Sequence, residues 1–196
     1  MHRTRHETRR GGTLPQCRVW LRCGLAVASL MLASIAAPAP VRAQFTQRDG
    51  QIIARTLSFV EPRPTGTIQV AIAYAPSHPA SLHDAESLLG AIGDGLHAGS
   101  VTLTARLVPV DQLADAAGIA AIVVAGDLGA DLDKVAQAAQ RLQVPSISTE
   151  LACVRSARCI LAFSSEPTVE IVLNHAAASS AGVHFAPAFR LLVREL

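Results

Sequence analysis

Lysine is almost missing from this chain of 196 residues, Lys134 being the single one, and aromatic residues make up only 4%. Nucleic-acid surfaces are built from clustered basic side chains interleaved with stacking rings, so this scarcity argues against such a partner. Long apolar runs are lacking too. The longest uncharged one, residues 24–37, falls short of the roughly 20 apolar residues that a membrane-spanning helix needs. No internal repeat, low-complexity tract or linker long enough to divide residues 44–196 interrupts the pattern.

What is present is unevenly spread. Half of the residues are hydrophobic, the mean hydropathy is +0.33 and the formal charge is +2. Residues 1–43 carry seven arginines (Arg3, Arg5, Arg9, Arg10, Arg18, Arg22, Arg42) against Glu7, a charge of +6, and the remainder carries −4. An arginine-rich start, a short apolar run, Pro38 and Pro40, then Val41-Arg42-Ala43 with small residues at −3 and −1, have the form of a secretory signal peptide cut after Ala43. The exported protein, residues 44–196, is then mildly acidic and bound for the periplasm, and the basic character belongs to the leader alone.

Cleavage would remove Cys17, Cys23 and Trp20 and leave Cys153 and Cys159, with five residues between them. Disulfides persist in exported proteins, and so short a loop closed by a bridge stabilises by about 2 kcal/mol on the chain-entropy model. Free or redox-active thiols, or a zinc site completed by His175 and His184, are the competing readings, although no spacing demands zinc.

Periodicity predicts a helix over 46–60, with Ile53, Leu57 and Val60 on one face, then a nearly apolar strand over 67–75. Ser81 and Asp84 are expected to cap the next helix. Residues 101–108 alternate, which implies one wetter face and an edge strand. A short helix over 111–117 leads into the strand 119–125, followed by a helix containing Leu132, Val135, Ala139 and Leu142 and a strand over 144–149. Residues 160–163 and 168–173, joined by Ser164-Ser-Glu-Pro167, read as a hairpin, since a four-residue polar turn cannot make a parallel crossover. Helices are expected over 175–181 and 185–196, the second with Phe185, Phe189, Leu192 and Leu196 on one stripe. Alternating strands and helices build an α/β three-layer sandwich, a mostly parallel sheet with a C-terminal antiparallel hairpin, flanked by helices.

No catalytic set assembles from these residues. Gly126-Asp-Leu-Gly129 lies between strand and helix but lacks the Lys-Ser/Thr of a phosphate loop, and Asp127 and Asp131 would repel a phosphate, so a tight turn and helix start explain it. Gly90, Gly93 and Gly95 follow a helix rather than a strand. His78, His83 and Glu86 flank a proline loop without a third ligand or a nucleophile. Ser146, Ser148 and Thr149 stand near a strand end without a Gly-x-Ser-x-Gly elbow. Arg155 and Arg158, inside the cysteine loop, are either partner contacts or solvated charges. No cofactor is called for.

Two stretches resemble the YfiR-like (HmsC-like) family of small periplasmic proteins. Ile53-Ala-Arg-Thr-Leu-Ser-Phe-Val-Glu-Pro62 is similar to that family's opening helix, which ends in Phe-Val-Glu-Trp-Pro before a strand of the Ile-Gln-Val-Ala-Ile type. Val144-Pro-Ser-Ile-Ser-Thr-Glu150, a loop into Cys159-Ile-Leu-Ala-Phe163, Val169-Glu-Ile-Val-Leu-Asn174, Ala177 and Ala181-Gly182 follow the family's order, so the likeness spans nearly all of residues 44–196. The chain departs in lacking tryptophan after Glu61, in Ser156-Ala157-Arg158 where the family has a glycine pair, and in Ala186-Pro187 where it has Ser-Ser; it resembles a divergent member. The resemblance implies a non-enzymatic periplasmic regulator that binds and restrains the periplasmic domain of an inner-membrane diguanylate cyclase, lowering cyclic-di-GMP signalling and biofilm formation. Membrane contact then comes only through the partner, and a homodimer is left open. It also links the Cys153–Cys159 pair to stability and redox response, and gives Asn174 and Gly182 structural roles. The second expectation is a small-molecule binding module, because residues 119–148 resemble one strand-helix-strand unit of a type I periplasmic solute-binding protein, in a chain too short for two lobes.

Overall fold

The computed structural model describes residues 45–196; the leader expected at 1–43 lies outside the described residues. Thr46 opens the first helix, α1 (Gln47–Leu57), with a capping box: its hydroxyl accepts the Asp49 amide, and its own amide donates to the Asp49 carboxylate at 2.7 Å. Ile53, Ala54 and Leu57 are buried along its inner face. A two-residue strand, β1 (Val60–Glu61), precedes β2 (Gly66–Tyr74), in which Val70, Ala71, Ile72 and Ala73 have no exposure. A strand covered on both faces has no reason to alternate, which accounts for the apolar run from Val70 to Ala73.

Pro79 occupies the first position of α2 (Pro79–Ile92), where a missing N–H costs nothing. The N-cap is His78 rather than Ser81; the buried Ser81 hydroxyl instead accepts the Ala75 amide at 3.1 Å and ties the end of β2 to α2. Next come β3 (Leu96–Ala98) and β4 (Val101–Pro109), an antiparallel hairpin turning at Gly99 and Ser100. The strand at 101–108 therefore has neighbours on both sides, and the sheet edge is β3, which the periodicity does not reveal. A 3-10 turn (Val110–Asp115), β5 (Ala121–Val124), α3 (Leu132–Leu142) and β6 (Ser146–Ser148) follow, then a five-residue helix, α4 (Leu151–Arg155). The chain ends with β7 (Leu161–Ser164), β8 (Glu170–Leu173), α5 (His175–Ser180), β9 (His184–Phe185), α6 (Pro187–Arg190) and β10 (Arg194–Glu195).

The main sheet has eight strands in the order β10-β8-β7-β6-β5-β2-β4-β3. From β4 through β7 the neighbours are parallel, with β2 and β4 in register from Gly66↔Val101 to Tyr74↔Pro109. The chain steps from β2 to β4 in one direction and then returns across β2 to β5, β6 and β7. Parallel crossovers are right-handed, so a reversal of direction puts α2 on one face and α3 and α4 on the other. Accordingly α2 packs on β2, β4 and α1, whereas α3 packs on the 3-10 turn, β5 and β6. The result is an α/β three-layer sheet in which β7 and β8 form the antiparallel hairpin that the short turn demands, with β10 added in parallel outside β8.

The C-terminal segment departs from the expected helix over 185–196. Phe189 is 1% exposed and stacks between Phe59 and Phe185, with ring centroids 5.1 and 5.0 Å apart, but the helix stops at Arg190. Beyond it Arg194 and Glu195 pair with Val172 and Leu173 of β8. Backbone pairing to an open sheet edge thus outweighs a helical stripe that has only Phe185 and Phe189 to bury.

Asn174 and Gly182 bracket α5. The Asn174 side chain accepts the Ala177 amide at 2.8 Å and donates to the Val154 carbonyl at 2.9 Å, joining α5 to α4. Gly182 takes φ +66° while the Val183 amide reaches back to the Ala178 carbonyl at 2.9 Å, a helix end that favours glycine. Asn174→Ala removes both side-chain bonds of a buried residue, and we expect a loss of about 2–3 kcal/mol in urea unfolding. A loss under about 0.5 kcal/mol, the ordinary effect of a surface change, would contradict this role.

Candidate functional site

The reversal of strand order lies between β2 and β5. At such a point the loops leaving the strand carboxyl ends diverge to opposite faces and open a crevice, where ligands of doubly wound sheets sit. A cavity of about 460 Å³ opens at the carboxyl ends of β5, β6 and β7, within the usual size range for small-ligand sites. Gly126 follows β5, Thr149 and Glu150 follow β6, and Phe163 to Glu166 close β7. Asp84 comes from the second turn of α2, and Phe45, Thr46 and Asp49 from the start of α1. Four carboxylates and no basic side chain are among the described residues that line it.

Gly126 is where the walls meet. A Cβ there would stand 2.5 Å from a carboxylate oxygen of Asp84 and 3.6 Å from one of Glu150, so those two oxygens lie within about 6 Å of each other across the glycine. Asp49 is 5% exposed, and its carboxylate accepts from the Thr46 amide and hydroxyl, each at 2.7 Å. These acids come from separate segments of the chain, and sequence reading does not bring them together. The one available signal is positional: Asp84 and Glu150 each follow closely on the carboxyl end of a parallel strand.

The residues singled out from the sequence fall elsewhere or serve the framework. The Gly126–Gly129 loop is a turn, with Asp127 at φ +63° and Gly129 at φ +53°, leading into a 3-10 turn (Gly129–Asp131). His78 places Nδ1 2.8 Å from the Asp127 carbonyl oxygen and so bridges the loops after β2 and β5; His83 and Glu86 are exposed on α2. The Ser146 hydroxyl accepts the Ile160 amide and the Ser148 hydroxyl the Glu150 amide, both at 3.0 Å. Of that trio, Thr149 alone lines the crevice. Among the described residues no group of three or more His, Cys, Asp and Glu is placed to hold a metal ion.

Cys153 and Cys159 form a disulfide with Cα atoms 5.2 Å apart, both side chains buried. The bridge staples α4 to the start of β7 and leaves neither a thiol pair nor a zinc ligand set. Arg158 is held within the chain by Asp133 of α3, Nε to Oδ1 2.7 Å, while Arg155 is exposed.

A second surface stands apart from the crevice, at the β10 edge. Leu191 is 88% exposed, Leu192 69%, Leu196 49% and Val169 47%. Leu191 and Leu192 lie in the turn between α6 and β10, Leu196 follows β10 and Val169 precedes β8, so these exposed apolar side chains flank the two-residue edge strand. The edge is pinned by Arg190 to Glu195 (2.5 Å) and Arg194 to Glu170 (3.0 Å).

No family model matches the chain, and no curated protein matches it. Solved structures share its fold, among them the following two. One is a conserved domain protein from Vibrio cholerae O1 biovar El Tor, 12% identical, with a TM-score of 0.51, over 76% of this chain and 59% of that one. The other is the ABC domain from Streptococcus pneumoniae in complex with L-Trp, 13% identical, with a TM-score of 0.50, over 72% of this chain and 58% of that one. The chain thus spans less than two thirds of either, and the likeness is one of α/β fold. Among the described residues no helix is long and apolar enough to cross a membrane.

Hydrogen bonds from the Arg190 guanidinium hold the Glu195 carboxyl below its ordinary range. A depressed folded value means that the pair stabilises the edge above the unfolded pKa of about 4.3 and loses that effect as pH falls through the folded value. Exchange of the Leu196 amide, bonded to the Leu173 carbonyl at 2.9 Å, should therefore accelerate below about pH 4 once corrected for intrinsic rate. Glu195→Gln should abolish that acceleration; an unchanged pH profile in this variant would disprove the assignment.

Proposed function

We propose that this protein is an exported, non-enzymatic regulator of the YfiR/HmsC-like kind, binding and restraining the periplasmic domain of an inner-membrane diguanylate cyclase and so lowering cyclic-di-GMP output. The observation that carries this reading is the β10 edge: a two-residue border strand, with no further strand on its outer side among the described residues, flanked by the exposed Leu191, Leu192 and Leu196. Exposed apolar residues next to an unpaired strand are a liability that proteins cover or use, and strand addition with apolar anchors is a standard way to hold a partner. The buried disulfide suits an oxidising compartment. The sequence resemblance supplies the identity of the partner.

A second reading, a small-molecule binding module, is favoured by the crevice at the strand carboxyl ends and by the shared fold of a domain solved with L-Trp bound. The two readings are compatible, since a ligand held in the crevice would bias the regulator.

The test uses the purified periplasmic domain of an inner-membrane diguanylate cyclase from the same organism. The wild-type protein should bind it, and the pair Leu191→Glu, Leu192→Glu should weaken binding at least about tenfold, as loss of central apolar anchors does. Both leucines are exposed, so the variant should unfold within about 0.5 kcal/mol of the parent. Absence of binding by the wild-type protein, or equal binding by the variant, would refute the reading.

A further inference from the structure

Two arginines among the described residues are half-buried, Arg106 and Arg158. Arg158 has the Asp133 carboxylate at 2.7 Å. Arg106 has no acid among the described residues: its guanidinium donates one N–H to the Ala117 carbonyl at 3.2 Å, and its Nε is buried without an acceptor. A half-buried cation that lacks a counter-charge and leaves a donor unmade is costly beside a paired one. Such an exception in a folded protein calls for a physical cause.

The surroundings supply one. Thr102, Thr104 and Arg106 alternate in β4 with the buried Val101 and Leu103, and strand alternation sets all three on one face of the sheet. In the parallel register of β2 and β4, Thr67 lies beside Thr102 and Gln69 beside Thr104, while His97 of β3 flanks Thr102 on its other side, Nδ1 to Oγ1 2.9 Å. This is the wetter face that the alternation over 101–108 implies. The helix α3 packs instead on the 3-10 turn, β5 and β6, and these polar side chains are half-buried or exposed. No Asp or Glu occurs in β2, β3 or β4. An open face of hydrogen-bonding groups with one unmatched guanidinium is complementary to a carboxylate brought from outside.

We propose that this face docks an acidic segment of a protein partner, whose carboxylate takes Arg106 side-on through Nε and Nη2. A guanidinium donates two parallel N–H bonds to a carboxylate in that geometry. The unmade Nε and the Nη2 that now serves a neutral carbonyl would both gain a charged acceptor, the side chain turning outward because Nε is covered. A nucleic acid is the poorer match, since a single arginine without a stacking Phe, Tyr or Trp gives neither a charge cluster nor a base platform. The proposal goes beyond the regulator and ligand-module readings and depends on neither.

The test is an NMR titration of the isotope-labelled protein that follows the Arg106 side-chain Nε–H resonance and the amides of Thr102 to Arg106. The probes are the blocked peptide Gly-Glu-Ser-Glu-Gly and its counterpart with glutamine for glutamate. The acidic peptide should shift these resonances saturably and the neutral one should not. Arg106→Gln should weaken binding at least about tenfold, the loss of one partner of a charge pair, and Arg106→Lys should recover little of it, because an ammonium has no fork. Gln69→Glu keeps the arginine and places an acid diagonally beside it; this variant should raise the urea midpoint and abolish the peptide-induced shift. An Arg106 resonance unmoved by the acidic peptide, equal shifts with the neutral one, or a lowered midpoint in Gln69→Glu would each overturn the proposal. Free glutarate that gives the same shift at the same concentration overturns the docking surface in favour of a small-anion site.

Discussion

The pairing of β2 with both β4 and β5 is the constraint on which the rest of the molecule depends. Val70 to Ala73 are sealed on both faces and along both edges. Its neighbours are both parallel and are reached by crossovers in opposite directions, and right-handedness then sends the crossover helices to opposite faces. The three layers, the reversal of strand order and the crevice at its carboxyl end are consequences of that single arrangement. Burial there also sets the tolerance: an added methyl group in this strand has nowhere to go, whereas β3 and β10, at the two sheet edges, are short and tolerant of change.

The two ends of the sheet are finished differently. At β3 a three-residue strand closes the edge through a tight hairpin. At the other end β10 adds two residues in parallel to β8, held by side-chain ion pairs that are themselves solvent-exposed and so contribute modestly. The molecule therefore carries an enclosed centre and a short, lightly fastened border strand flanked by exposed leucines. The disulfide lies next to this border rather than in the centre, and it fixes α4, whose Val154 carbonyl receives Asn174. Stapling α4 thereby steadies the start of α5 and, through it, the route of the C-terminal chain.

Much of this was legible in the residues. Long or largely apolar elements such as 67–75 and 119–125 reveal themselves by period, as does the helix expected over 46–60, although it ends at Leu57 and Val60 pairs with Phe185 in β1 instead; the Ser164-to-Pro167 turn is too short for anything but a hairpin. Less legible were elements whose form is decided by distant partners. Leu96-His97-Ala98 has no period to detect at three residues, although Gly99-Ser100 between apolar residues is a turn signal. Phe185, Phe189, Leu192 and Leu196 keep a helical spacing, yet only Phe185 and Phe189 join a ring stack, and β8 captures the backbone beyond them. The crevice was the least legible feature, because Asp49, Asp84, Glu150 and Glu166 are scattered along the chain and meet only through the strand order. The framework roles of Asn174 and Gly182 were open to inspection, since a capping side chain and a left-handed glycine are local devices.

The account stands on β2 as the enclosed spine of the molecule, and native-state hydrogen exchange tests this most directly. The amides of Val70 to Ala73 and Ala121 to Val124 should be the slowest to exchange and should open only with global unfolding, while those of β3 and β10 exchange far sooner. If the amides of β2 exchanged as fast as those of β10, the sheet would not be organised around that strand, and the crevice derived from its strand order would lose its basis.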